Sequence, residues 1–224
     1  MQGWDLKPFA MLASSFAEVL LIDADAVFVQ NPLVLFEDPG YLETGTLFFH
    51  DRTMGGYTNE NVTFWMDSFL PQPLSEKLRL SRLYTRATNY EQESGVVLIN
   101  KKERFMGMLA TCRMNCPEEK GVLHRFTHGD KESFYLGMEM AQEPYYFVPV
   151  LSGSIGKLRW NKEKKEYRIC GKLAHFDRHQ RLLWFNDGIV ADKGAQESDP
   201  SEYEYFGIEG RWDGLCLIGT FVSI

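Results

Sequence analysis

Two runs of the chain are apolar almost without interruption, "EVLLIDADAVFV" (Glu18 to Val29) and "SGVVLIN" (Ser94 to Asn100). Their length and β-branched content predict strands, and a continuous rather than alternating pattern is that of a strand covered on both faces. Other segments repeat at the helical period. Leu6, Phe9, Ala13 and Phe16 share one face of a helix predicted over Asp5 to Phe16, with Asp5 as N-cap and Pro8 in the first turn. A short helical piece is expected over Leu33 to Glu37, then a turn at Pro39-Gly40 and a strand in "GTLFFH". Asp51 to Leu83 reads as a polar loop followed by amphipathic helical segments broken at Pro71 and Pro73. Further helices are predicted in "KKERFMGMLATCRMN" and "GDKESFYLGMEMA", the second with Gly129-Asp130 as its turn and cap. Strands at Tyr145 to Pro149, Tyr167 to Ile169 and Leu182 to Phe185 complete the pattern, and the acidic tail Asp192 to Tyr205 reads as solvated. Alternating strands and helices predict an α/β fold with a mostly parallel sheet.

Composition narrows the function classes. A chain of 224 residues with 44% hydrophobic and 14% aromatic content can build one large α/β domain or two small ones, and one is expected. The net charge of -7 argues against a nucleic-acid surface, which needs clustered Lys and Arg. No run reaches the roughly 20 apolar residues of a membrane span, and the N-terminus lacks a signal-like pattern, so the chain as given reads as soluble. Cys112, Cys116, Cys170 and Cys216 include no C-x-x-C pair and read first as buried thiols, with three full disulfide pairings open. Asn61-Val62-Thr63 is a glycosylation triplet that would be used only in a secretory compartment.

The chemistry is concentrated in the first strand. Asp23 and Asp25 interrupt an apolar run, and a buried carboxylate without a partner costs several kcal/mol. Asp-x-Asp alone carries no information, since about 0.6 occurrences are expected by chance at this composition. Its position after "VLLI" matters more, because α/β sheets bind ligands at the carboxyl ends of strands. Two carboxylates one residue apart can approach one hard divalent cation, which could bridge the phosphates of a nucleotide. The structural alternative is a strand-to-turn corner in which both side chains cap backbone amides. "VLLIDADAV" also fits the first motif of haloacid-dehalogenase-like phosphatases, in which Asp23 would be the nucleophile. "GDKESF", however, has Phe134 where that family needs its last acid.

A second resemblance covers more of the chain. "WDLKPFAMLASSFAEVLLIDADAVFVQNPLVLFE", "YLETGTLFFHDR", "QESGVVLINK", "HGDKESFYLGMEM" and "HFDRHQRLLWFNDGI" resemble, in order, the blocks of the fungal α-mannosyltransferases of glycosyltransferase family 71, from about Trp4 to Ile189. That resemblance implies a GT-A-like, mostly parallel (mixed) sheet flanked by helices and lacking its first βα unit. It also implies a partial GT-A domain over 1–190 and an acidic segment over 191–224. The implied reaction is a retaining, metal-dependent transfer of mannose from GDP-mannose to a mannan-type or glycoprotein glycan ending in mannose. Mn²⁺ is the expected cation. The implied setting is the Golgi lumen, with a membrane anchor that this chain lacks and no nucleic-acid partner. An inactive, glycan-binding remnant is the other reading left open.

The resemblance also distributes roles. Asp25 is the expected direct metal ligand, with Asp23 facing the ribose or binding through water. His175, in "AHFD", would complete the metal site, although a hydrogen-bonded core histidine reads equally well. Lys7 lies in the first turn of a helix, where a cation opposes the macrodipole unless a phosphate lies near; a solvated surface lysine is the alternative. Glu93 and Gln92 open the second buried strand and could reach a strand-end crevice, and Gly95 would let backbone approach the donor sugar. Asp130 sits in the acidic block expected near the reacting sugar, where it could equally be a helix cap. Trp184 could stack on a sugar but reads more simply as core.

Overall fold

The computed structural model describes residues 3–55, 60–186, 203–213 and 216–224. In chain order it contains helix α1 (Leu6–Ala13), strands β1 (Glu18–Ile22) and β2 (Ala26–Phe28), helix α2 (Pro39–Thr44), strand β3 (Thr46–His50), helices α3 (Val62–Phe69) and α4 (Glu76–Leu80), and strand β4 (Gln92–Asn100). Helices α5 (Phe105–Met114), α6 (Lys120–Phe126) and α7 (Ser133–Ala141) follow. The chain then turns to strands alone: β5 (Gly153–Gly156), β6 (Leu158–Asn161), β7 (Glu166–Cys170), β8 (Lys172–Phe176), β9 (Leu182–Asn186), β10 (Tyr205–Asp213) and β11 (Cys216–Ser223). These elements form two compact units, Met1–Leu21 with Val34–Phe147, and Ile22–Leu33 with Val148–Ile224.

The first unit is a three-stranded sheet, ordered β1-β4-β3, with helices around it. β4 is central, and Val96, Val97, Leu98 and Ile99 are completely buried. At roughly 1.5–3 kcal/mol per buried aliphatic side chain, this run is a main anchor of the unit. Val97 and Ile99 join Phe48, Met108, Phe134 and Met138 in its core. Helices α5 and α7 approach closely because Gly137 has no side chain: a Cβ there would lie 2.2 Å from Thr111 Oγ1 and 2.7 Å from the Gly107 carbonyl oxygen.

Local chemistry overrules several expectations in this unit. Pro39-Gly40 opens α2 rather than forming an isolated turn. The Asp38 carboxylate accepts from the Gly40 amide at 2.8 Å, Pro39 occupies the first turn, and Gly45 ends the helix at φ 63°. Asp5 does not cap α1 with its side chain; it is buried in an ion pair with Lys120 at 2.6 Å, with His124 at 3.3 Å. Tyr145 to Pro149 is not a strand. Only Phe147 forms a bridge there, to Phe48, and it is parallel.

The second unit holds an eight-stranded sheet ordered β2-β9-β8-β5-β10-β11-β7-β6. Each of its described pairings is antiparallel, as is that of β3 with β4 in the first unit. The mostly parallel sheet expected from the sequence is therefore corrected to mixed α/β with antiparallel pairing. An uninterrupted apolar run such as Val96 to Ile99 reports burial on both faces, and that burial is indifferent to strand direction. One face of the second sheet buries Ile155, Ala174, Phe176 and Phe185, with Val27, Tyr203 and Phe206 packed against them. Cys170 and Cys216 stand opposite one another on β7 and β11 and form a disulfide, whereas Cys112 and Cys116 are free thiols. The all-thiol expectation fails for that pair because only pairing in space decides it. Residues 192–202 of the expected solvated tail lie outside the described residues; Tyr205 opens β10.

Candidate active site

The start of β4 gathers a cluster of buried polar residues in the first unit. Glu91, Gln92, Glu93 and Ser94 are all at most 3% exposed, as are Asp51 after β3 and Asp130 and Glu132 before α7. Lys131 donates to Asp51 Oδ2 and Glu93 Oε2, both at 2.6 Å. Burial disfavours its charge, but the two carboxylates outweigh this and hold the ammonium well above its ordinary pKa. The other Glu93 oxygen accepts from the Gly95 amide at 2.9 Å, so Gly95 also helps to orient this carboxylate. Ser94 Oγ lies 3.2 Å from Asp130 Oδ1. Lys7 Nζ donates to the Ser94 carbonyl oxygen at 3.2 Å and lies 3.9 Å from Asp130 Oδ2. Lys7 is thus not a solvated surface lysine: it lies beside the Asp130 carboxylate and offsets its charge across 123 residues of sequence.

A second layer of charge holds this cluster in place. Glu91 Oε1 accepts from His50 Nδ1 at 2.9 Å and from Arg82 Nε at 3.1 Å, while Oε2 accepts from the Leu83 amide at 2.9 Å. Burial raises the Glu91 pKa, but the His50 hydrogen bond, the Arg82 charge and the Leu83 amide prevail and bring it to about 2. Glu132 accepts from the Glu91 amide at 2.9 Å yet is driven the other way, to about 8, by burial first and then by the Glu91 and Asp51 carboxylates. Arg82 also donates to the carbonyl oxygens of Asp51 and Glu91, tying the ends of β3 and β4 together. Sequence reasoning singled out Lys7, Glu93, Gly95 and Asp130, which the fold does bring together, and missed His50, Asp51, Arg82, Glu91 and Lys131. His50-Asp51 ends an apolar strand, the same signal that drew attention to the start of β4.

In the second unit, Asp23 and Asp25 do not lie in mid-strand. The expected single strand over Glu18 to Val29 breaks into β1 and β2, and the Ala26 amide donates to the Asp23 carbonyl oxygen at 3.0 Å to close a tight turn between them. Both aspartates are half-buried, so the desolvation problem of a mid-strand carboxylate does not arise. Across β8, β9 and β2, His175 faces Trp184 and Trp184 faces Phe28. The His175 and Trp184 rings stack at 4.0 Å, and both are at most 1% exposed. Trp184 is therefore a core aromatic, and no face of it is open to a sugar. Among the described residues, no three of His, Cys, Asp or Glu converge as a metal-binding group, so Asp23, Asp25 and His175 are not assembled into one. Asp23 and Asp25 by themselves still suit a small hard cation, which takes one or two protein carboxylates and fills its other positions with water and phosphate oxygens.

A mixed α/β chain with a paired-carboxylate turn in one unit and an acidic, lysine-bridged strand end in the other belongs to the class of proteins whose carboxylates can take cations or hydroxyl groups. Comparison with known proteins narrows it. The family model described as "Mannosyltransferase putative" matches residues 1–177, and the chain belongs to this family. It is 31% identical over 206 residues to the Candida albicans protein named "Putative alpha-1,3-mannosyltransferase MNN15", covering 84% of this chain and 27% of that protein. It is 30% identical over 235 residues to the Saccharomyces cerevisiae alpha-1,3-mannosyltransferase MNT3, covering 89% of this chain and 36% of that one. The chain thus spans roughly a quarter to a third of the length of these relatives. Family membership supports the mannosyltransferase resemblance over the phosphatase one. No helix among the described residues is long and apolar enough to cross a membrane.

Proposed function

We propose that this chain forms part of a metal-dependent, retaining α-mannosyltransferase of protein glycosylation, moving mannose from GDP-mannose to a mannose-terminated glycan in the Golgi lumen. The observation that carries the reading is the half-buried Asp23-x-Asp25 turn directly after β1, in a chain of the mannosyltransferase family. Asp25 would hold Mn²⁺ directly, and Asp23 would bind through water or face the donor ribose. The bound cation would supply Lewis-acid stabilisation of charge on the departing diphosphate. In the first unit, Asp130 and Glu93 are the groups proposed to accept hydrogen bonds from sugar hydroxyls, with Lys7 beside Asp130 and Lys131 beside Glu93 offsetting their charges. An oxidising lumen accords with the Cys170–Cys216 disulfide. His175, buried against Trp184, has no part in the proposed metal set.

GDP release from GDP-mannose, followed with and without Mn²⁺ and with a mannose-terminated acceptor, tests the reading. Asp25→Ala is expected to lower the Mn²⁺-dependent rate at least about 100-fold, the scale of removing a group that stabilises developing charge. Its thermal unfolding should stay within about 0.5 kcal/mol of the parent, as for a change away from the core. Turnover of undiminished rate in Asp25→Ala would refute the assignment.

A further inference from the structure

We propose that Asn61 carries an N-linked oligosaccharide whose first sugar lies over the exposed ring of Phe64. Asn61-Val62-Thr63 is the only Asn-x-Ser/Thr triplet in the 224-residue sequence, and its central residue is not proline. Asn61 is exposed at the start of α3, and Phe64 is 75% exposed. The Trp65 amide donates to the Asn61 carbonyl oxygen at 2.8 Å, so the helical turn is closed from Asn61 onward and residues 61 and 64 are neighbours on its surface. A flat, solvent-facing aromatic ring beside the attachment point suits the C–H face of a sugar. A second observation comes from the other end of the chain. The Cys170–Cys216 disulfide belongs to an oxidising compartment, the setting in which such triplets are modified.

The folded geometry also fixes when the modification occurs. Val62 is 1% exposed, and the Thr63 hydroxyl donates to the Tyr84 carbonyl oxygen at 3.1 Å. The hydroxyl is therefore committed once α3 has packed, and transfer must precede packing. In that step Asn61 Nδ2 attacks the anomeric carbon of an oligosaccharide linked to a polyprenyl diphosphate. The new C–N bond replaces the C–O bond, the diphosphate departs with the bonding pair, and the amide nitrogen gives up one proton to solvent.

The proposal rests on residence in the secretory pathway, not on the transferase chemistry, and its test keeps the two apart. The chain is expressed in a secreting eukaryotic cell, digested with peptide N-glycosidase and followed by gel mobility and peptide mass, with free thiols counted on the same sample. One glycan at Asn61 is expected. It should be lost completely in Asn61→Gln and in Thr63→Ala, kept in Thr63→Ser, and accompanied by two free thiols in every variant. Enzymatic removal of the glycan from folded protein should raise binding of a hydrophobic dye, and Phe64→Ser should abolish that rise. Secreted protein with the disulfide formed and no glycan overturns the proposal. Protein with four free thiols and no glycan overturns it through the compartment instead, and unchanged dye binding after deglycosylation overturns the covering of Phe64.

Discussion

Replacing Glu132 by Gln isolates the cost of a proton held inside the first unit. The Glu132 carboxyl is completely buried, and its pKa is raised from 4.5 to about 8, by burial first and then by the Glu91 carboxylate. The Glu91 and Gln92 amides pull it back only in part. Between these two values the folded protein keeps a proton that the unfolded chain releases. Unfolding free energy must therefore fall with rising pH across that window. The contribution is fully present below the unfolded value of 4.5 and is lost as pH rises through about 8. At about 1.4 kcal/mol for each pH unit separating the two values, the full effect is roughly 5 kcal/mol. Gln preserves the side-chain shape and an acceptor for the Glu91 amide, yet has nothing to ionise. Urea unfolding measured in steps from about pH 5 to about pH 8.5 should show the parent losing several kcal/mol relative to Glu132→Gln. Groups shared by both proteins cancel in the difference. Glu91 acts in a different window, since its pKa of about 2 contributes stability present above 4.5 and lost as pH falls through about 2. Parallel curves for parent and variant above pH 5 would refute the reasoning.

Lys131→Met leaves Asp51 and Glu93 facing each other without the cation that both contact at 2.6 Å, and should cost about 3–5 kcal/mol by denaturant titration at pH 7. Cys170→Ser with Cys216→Ser removes a link across a sequence separation of 46, worth about 4 kcal/mol by loop entropy, and should lower the melting temperature of the β-rich unit. Gly137→Ala puts a methyl group against Thr111 and the Gly107 carbonyl oxygen, and should destabilise the helical unit by about 1–3 kcal/mol in the same unfolding assay despite its better helix propensity.

The amino-acid order by itself determined the elements whose signal is local. β4 follows from Val96 to Ile99, and α5, α7, β7 and β9 follow from their periodicity, because such patterns need no partner to be recognised. The same holds for the paired acids at Asp23 and Asp25 and for the polar opening of β4. Tertiary structure alone decided the direction of strand pairing, since burial on two faces looks the same in parallel and antiparallel sheets. It also converted Pro39-Gly40 into a helix start and joined Cys170 to Cys216. Most of the charge chemistry was of this second kind. Lys7 meets Asp130, Lys131 meets Asp51 and Glu93, and Glu91 and Glu132 titrate in opposite directions because of neighbours distant in sequence. Electrostatic energy depends on separation in space and on access to water, and neither quantity is written in the order of residues.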